Sequence, residues 1–121
     1  MPSPRQVLGQ AGEESALQLL CSVGQQLIQR NYSCRMGEID LILLDGDTLV
    51  FVEVRSRGGN AYGGAAATVT RPKQQRIIRA AEHYLLRHPE HNRRPCRFDV
   101  VALDDRAAPQ WIRDAFRVPS P

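Results

Sequence analysis

Two acidic residues stand in segments whose composition is otherwise that of buried β-strands. Asp40 lies in the run 38–44 and Glu53 in the run 48–55, and both runs are rich in Ile, Leu, Val and Phe. Because strand residues alternate between faces, Glu53 shares its face with Arg55. Neighbouring carboxylates on an apolar face repel each other and are costly to desolvate. The pattern therefore predicts a group that compensates their charge.

The turn between the two runs decides how far apart the carboxylates are. Asp45 and Gly46 predict a β-hairpin. A two-residue loop places Glu53 diagonally from Asp40, whereas a four-residue loop places the two directly opposite each other. Only a three-residue loop puts them on different faces. In the first two registers the acids are roughly 5 to 8 Å apart between Cβ or Cα positions.

A divalent cation is one group that could compensate them. Mg²⁺ takes oxygen ligands from one or two carboxylates, keeps several waters and binds substrate phosphate. Such an ion polarises a phosphoryl group and activates water, while Arg55 could hold a nonbridging oxygen. Arg55 stays protonated and is a poor general base. The alternatives are salt bridges from the acids to Arg55 or Arg35, or a solvated end of the hairpin.

Two residues outside the hairpin are further candidates. Lys73, the only lysine in the chain, follows Pro72 in the first turn of a predicted helix. There it suits phosphate contact or proton transfer, or is an ordinary exposed lysine. Glu13 extends the apolar stripe of the first helix towards the core edge, but its position in the helix by itself favours an interaction with the helix dipole.

The remaining pattern predicts the elements that position these residues. Apolar spacing predicts helices over 8–24 and 71–88, with Thr70 as the N-cap of the second. Strands are predicted over 25–32, 38–44, 48–55 and 96–103 and over the segment PQWIRDAF. This order of helices and strands predicts an α/β fold, in which helices pack against a mixed sheet.

Length and composition limit the class of protein. The 121 residues, 42% hydrophobic and 24% charged, fit a single domain over 1–121, with a core of about 8–116 and short flexible termini. The chain lacks an apolar run of ~20 residues and a signal-like amino terminus, so we expect a cytoplasmic protein without membrane contact. Three scattered cysteines favour reduced thiols. The net charge of +3 permits a polyanionic partner without requiring one.

These residues carry a resemblance. An Asp, then Glu-x-Lys on the adjacent strand, with a Glu in the first helix, is similar to the PD-(D/E)XK nucleases, including archaeal-type Holliday junction resolvases. The blocks GQAGEESAL, GEIDLI, VFVEVRSR, YGGAAATVTRPKQQRI and CRFDVVA resemble the bacterial YraN-like family of nuclease-like proteins, over about 8–116. The resemblance implies a restriction-endonuclease-like fold, a mixed sheet flanked by helices.

The resemblance also implies roles for matching residues. Asp40 and Glu53 match the metal-binding acids, and Glu13 matches the first-helix Glu that completes the metal site. Arg55 takes the place of the catalytic Lys, and Arg keeps the charge but not the proton transfer. Lys73 would act in the same site. The implied activity is Mg²⁺- or Mn²⁺-dependent hydrolysis of phosphodiester bonds in DNA, branched or single-stranded. The alternatives are an RNA substrate, or a degenerate nuclease fold that binds nucleic acid or a protein partner without cutting.

Nucleic-acid contacts are expected around this site. The candidate residues are Arg57, Tyr62, Arg71, Lys73, Gln75 and Arg76. Arginines would contact phosphates and Tyr62 would stack on a base, although such residues are also commonly solvated or cover a core. A twofold junction would require a homodimer. Asp99, in a strand expected to be central, is predicted to have a structural hydrogen-bonding role.

Overall fold

A computed structural model describes residues 4–56, 69–104 and 107–119. Its elements are α1 (Pro4–Ser22), β1 (Gln26–Cys34), β2 (Gly37–Asp45), β3 (Thr48–Ser56), α2 (Arg71–Arg87), a 3-10 turn (Pro89–His91), β4 (Cys96–Asp104) and β5 (Ala107–Phe116). Arg57 and Tyr62 lie outside the described residues, so their roles stay predictions. Within the described part of the chain, neither helix is both long and apolar enough to cross a membrane.

The five strands form one mixed sheet in chain order. β3 and β4 are parallel, and the other neighbouring pairs are antiparallel. Parallel neighbours require a crossover connection, and α2 lies between β3 and β4 in the sequence. The pairing of β4 with β5 shifts register twice, between Phe98 and Val100 and between Ala102 and Asp104. The predicted α/β class is confirmed, and the arrangement is consistent with a restriction-endonuclease-like fold.

Helices cover both faces of the sheet. On one face, α1 contributes Ala16 and Leu20 to a cluster with Leu41, Leu43, Val50, Val52 and Val101. On the other face, α2 contributes Ile77, Ile78, Ala80, Ala81 and Tyr84 to a cluster that includes Ile42, Phe51 and Phe98. β2 and β3 are therefore apolar in both directions over their middle parts, as strands buried on two sides are. A carboxylate on these strands needs either a partner or a place near a strand end.

The predicted elements are confirmed to within a few residues, with one error in the first helix. Val23, which falls within the predicted helix 8–24, lies beyond the end of the helix and is 53% exposed. The helix ends at Ser22, and the chain turns at Gly24, whose φ is 94°. Val23 therefore lies in this turn and not on the buried face of the helix.

The start of α2 follows its sequence signals. Thr70 is the N-cap, and its side-chain oxygen accepts a hydrogen bond from the Lys73 amide at 3.4 Å. Pro72 lies in the first turn, where its missing N–H has no consequence for the helix. These local interactions fix the backbone at Lys73 in the first helical turn.

Gly37 allows β2 to pack closely on α2. A Cβ at this position would lie 3.0 Å from the carbonyl oxygen of Arg76 and 3.2 Å from its Cβ. We expect Gly37→Ala to lower the free energy of unfolding by about 1 to 3 kcal/mol, because the backbone of α2 would have to move. Urea denaturation measures the change.

The control for this substitution is Gly12→Ala. There a new Cβ would meet only the end of the Leu103 side chain, at 3.1 Å, and alanine favours the helix. Gly12→Ala should therefore be neutral or slightly stabilising. A wild-type stability for Gly37→Ala would contradict close packing between β2 and α2.

Candidate active site

Asp40 lies where β2 and β3 separate. Backbone pairing between these strands ends at Leu41 and Val52, one residue before Asp40 is reached. Beyond that point, Oδ2 of Asp40 accepts a hydrogen bond from the Val54 N–H at 2.8 Å. The carboxylate thus binds a β3 amide at the place where the antiparallel pairing stops.

The hairpin register decides where Glu53 lies. Leu44 pairs with Leu49, and this is the register in which Asp40 stands opposite Glu53. The loop that produces it has two residues rather than four and begins at Gly46, one residue later than the predicted turn. Gly46 has a φ of 60°, which glycine adopts readily at the first central position of a tight hairpin.

Glu53 is buried beside two cations. Only 6% of its side chain is exposed, and its Oε1 lies 3.4 Å from Lys73 Nζ and 3.7 Å from Arg55 Nη1. Lys73 reaches it from the first turn of α2, whereas Arg55 follows on the same face of β3. Each cation is 35% exposed. Two partly exposed cations at the edge of the sheet therefore balance the charge of the buried Glu53 carboxylate.

Burial perturbs both acids. Burial, and after it the Asp40 carboxylate, raise the pKa of Glu53 to about 7, against the opposing effect of Lys73 and Arg55. Burial also raises the pKa of Asp40, against the effect of its hydrogen bonds with the Val54 N–H and the Glu53 side chain. The pair consequently retains a proton close to neutral pH. Acids perturbed in this way by burial and a charged neighbour are typical of functional sites.

Glu13 approaches the pair from α1. With the Asn31 amide nitrogen turned towards it, that nitrogen donates to Oε2 at 3.0 Å and to Oε1 at 3.1 Å. Burial raises the pKa of Glu13, and Asp40 makes the next largest contribution. Glu13 is therefore within electrostatic range of Asp40, but Asn31 holds its carboxylate.

The arrangement provides two clustered acids and a third at their edge. Within the ranges 4–56, 69–104 and 107–119, no three His, Cys, Asp or Glu side chains form a group that could hold a metal ion alone. Asp40 and Glu53 instead fit the donor set of a hard cation such as Mg²⁺, which binds one or two carboxylates and keeps water and substrate oxygens in its other positions. Burial is the main cause of their raised pKa values, and a bound cation would lower both.

The comparison with known proteins identifies the family. The chain matches the model of the uncharacterised protein family UPF0102 over residues 12–103. The chain belongs to UPF0102. This is the YraN-like family that the sequence blocks resemble.

Several UPF0102 proteins are similar over nearly their whole length. The relative from Alcanivorax borkumensis is 51% identical over 112 residues, covering 89% of this chain and 90% of that protein. The relative from Alkalilimnicola ehrlichii is 49% identical over 118 residues, with 98% and 93% covered. One from Methylibium petroleiphilum is 52% identical over 116 residues, with 90% and 93% covered.

The site of this UPF0102 chain lies inside the matched segment, which contains Glu13, Asp40, Glu53, Arg55 and Lys73. The family description and the names of these relatives state no activity. The chemistry of the UPF0102 site therefore has to be inferred from its geometry.

The predicted nucleic-acid contacts are exposed on α2. Arg71, Gln75 and Arg76 lie on its solvent side. Gln75 and Arg76 line a small groove together with Met36 and Arg79. This surface lies on the same helix as Lys73. What it binds stays a prediction.

Two contributors to the site were not predicted from the sequence. The Val54 N–H binds Asp40, and backbone donors leave no sequence signal. Asn31 binds Glu13 and has a φ of 53° in the middle of β1. Asparagine tolerates this conformation better than most residues, so an Asn within a strand pattern was the available signal.

Asp99 has the structural role predicted for it. It is completely buried. Its two oxygens accept hydrogen bonds from Arg97 at 2.9 and 3.1 Å, from Trp111 Nε1 at 3.0 Å and from the Asp114 N–H at 3.0 Å. The bonds from Trp111 and Asp114 connect β4 to β5, and none of the four involves a residue of the candidate site.

Proposed function

We propose that this UPF0102 protein is a Mg²⁺- or Mn²⁺-dependent nuclease that hydrolyses phosphodiester bonds in DNA. The observation that carries the proposal is the buried pair Asp40 and Glu53, flanked by Lys73 and Arg55 at the edge of the sheet. Burying two interacting acids lowers stability, and proteins tolerate such an arrangement mainly where it serves chemistry.

Asp40 and Glu53 would hold the cation. Its binding favours the ionised form of both acids, because it displaces their retained proton and offsets their mutual repulsion. When bound, the cation polarises the phosphoryl group and makes water a better nucleophile near neutral pH. Glu13, held by Asn31, would add negative charge from α1 without serving as a direct ligand.

Arg55 and Lys73 would bind and orient the phosphate. Both are partly exposed beside Glu53, so either can contact a substrate oxygen without crossing the core. The Arg55 guanidinium would hold a nonbridging oxygen and offset negative charge that develops during hydrolysis. Arg55 cannot release a proton, so Lys73 is the residue of this pair that could exchange one with the substrate.

One observation favours a second function, a nucleic-acid-binding module that does not cut. Glu53 already has two cationic neighbours, so its charge can be balanced without a metal ion. In addition, Arg55 stands where the nucleases that the sequence resembles carry Lys. In this case the same surface would bind nucleic acid without hydrolysis.

Titration calorimetry with Mn²⁺ and Mg²⁺, with and without branched DNA, tests the proposal. Asp40→Asn and Glu53→Gln should each weaken metal binding about tenfold or more, since each removes an anionic ligand. They should also reduce metal-dependent cleavage of branched or single-stranded DNA by about 100-fold. Glu82→Gln, an exposed acid on α2, is the matched control, and an RNA strand of the same sequence tests the choice of polymer.

Metal binding and cleavage that are lost in both site variants and kept in Glu82→Gln would support the nuclease. DNA binding without any metal binding or cleavage by the wild type would contradict it and favour the second function.

A further inference from the structure

A groove beside the candidate site combines positive charge with an exposed apolar side chain. It lies between the turn joining β1 to β2 and the first half of α2, has a volume of about 210 Å³, and is lined by Met36, Pro72, Gln75, Arg76 and Arg79. Met36 is 37% exposed. The contact between Gly37 and the Arg76 backbone fixes the distance between the two walls.

The arginines of this groove differ from those that the fold already uses in ion pairs. Arg30, Arg55, Arg94, Arg97 and Arg117 each pair with a carboxylate. Within the described parts of the chain, Arg76 and Arg79 form no such ion pair, and both are exposed. Their charge is therefore available to an anionic ligand.

The groove has the chemistry to bind one nucleotide. Guanidinium planes stack on aromatic rings and bind phosphate oxygens, and a thioether makes favourable contacts with ring edges. The Gln75 amide offers a donor and an acceptor to a base edge. In a continuous duplex the faces of a base are stacked and its edge is paired, so a duplex base cannot enter without being flipped out.

The groove and the candidate site share one helix. Lys73 contacts Glu53, and Arg76 follows it three residues later on α2. From Lys73 to Arg79 the helix rises about 9 Å. A strand with one phosphate at Lys73 would therefore pass an adjacent nucleotide over Arg76 and Arg79.

We propose that this groove binds an unpaired nucleotide next to the phosphate at Lys73 and Glu53, and that it thereby selects single-stranded or branched nucleic acid over continuous duplex. The inference rests on the nucleic-acid substrate of the proposed function and is independent of whether that substrate is cut.

Fluorescence anisotropy with chelator present measures this binding without cleavage. The probes are a short DNA single strand, a blunt duplex of equal length and a strand of abasic nucleotides. The single strand should bind wild type at least about tenfold more tightly than the duplex. Arg76→Gln/Arg79→Gln should lose about tenfold in single-strand affinity, with a shallower salt dependence. Met36→Ala should lose about threefold on the single strand and nothing on the abasic strand.

The matched control is Arg87→Gln/Arg93→Gln, which removes the same charge from exposed positions at the other end of α2 and in the following loop. Equal losses in the two double variants would reduce the effect to net charge and overturn the proposal. Equal affinity for duplex and single strand would also overturn it. Cleavage that is insensitive to the groove variants would contradict nucleotide binding by the groove but not the proposed nuclease activity. Binding that depends on the bases, without any cleavage, would support the groove and contradict the nuclease activity.

Discussion

Glu53→Gln should stabilise the metal-free protein by ~3 kcal/mol at pH 8. The ordinary pKa of this carboxyl is 4.5, and in the fold it is about 7. A raised pKa means that the folded state binds the proton more tightly than the unfolded state does. The resulting stability is fully present below 4.5 and is lost as the pH rises through about 7. At ~1.4 kcal/mol per pKa unit, the rise accounts for the expected difference.

Urea denaturation in chelator between pH 5 and 8 measures this effect. The wild type should lose stability across the range, whereas Glu53→Gln should lose much less. The remaining slope comes partly from Asp40, whose pKa is raised as well. The control Glu82→Gln should follow the wild type. Parallel curves for wild type and Glu53→Gln would contradict the buried acid as the source of the loss.

The same measurement connects stability with the proposed function. Added Mn²⁺ or Mg²⁺ should restore stability to the wild type at pH 8, by about 2.7 kcal/mol at one hundred times the dissociation constant. Glu53→Gln should gain much less. A wild type that is insensitive to both ions would count against the metal site.

Asp99→Ala should lower the free energy of unfolding by about 3 to 5 kcal/mol. Asp99 accepts two hydrogen bonds from Arg97 and one each from the Trp111 indole and the Asp114 amide, and it is completely buried. Truncation leaves the two neutral donors without their acceptor and the guanidinium without its closer carboxylate. Unsatisfied buried groups of this kind are among the most destabilising consequences of a substitution.

Asp45→Ala is the control, because Asp45 accepts one hydrogen bond from Arg97, at 3.0 Å, and its side chain is 33% exposed. It should cost no more than about 1 kcal/mol. Thermal and urea unfolding would compare the two. Equal losses would show that Asp99 does not hold β4 and β5 together.

The local parts of this fold could be predicted from the sequence. Period two placed Asp40 and Glu53 on one face of the hairpin, and Thr70 with Pro72 marked the start of α2. Each of these patterns depends on interactions within a few residues, where side-chain chemistry limits the backbone strongly.

The remaining features depend on contacts between distant segments. Lys73 meets Glu53 across 20 residues of sequence, and only the crossover to α2 brings them together. The hairpin turn is one residue later than predicted because the strand pairing, rather than the Asp45–Gly46 dipeptide, fixes its position. Glu13 was predicted as a site residue by resemblance alone. The hydrogen bond that orients it comes from Asn31 on β1, a strand that pairs with β2 and is distant from Glu13 in sequence.

The irregular pairing of β5 has a consequence for self-association. β5 is an edge strand, and an open edge invites another chain to add a strand. Its two register shifts, the exposed Pro109 and the φ of 53° at Asp114 all interrupt the regular row of donors and acceptors that an added strand requires. A homodimer that fits a twofold DNA junction would therefore form through another surface. The β5 edge would not pair with a second copy of the chain, even at high concentration.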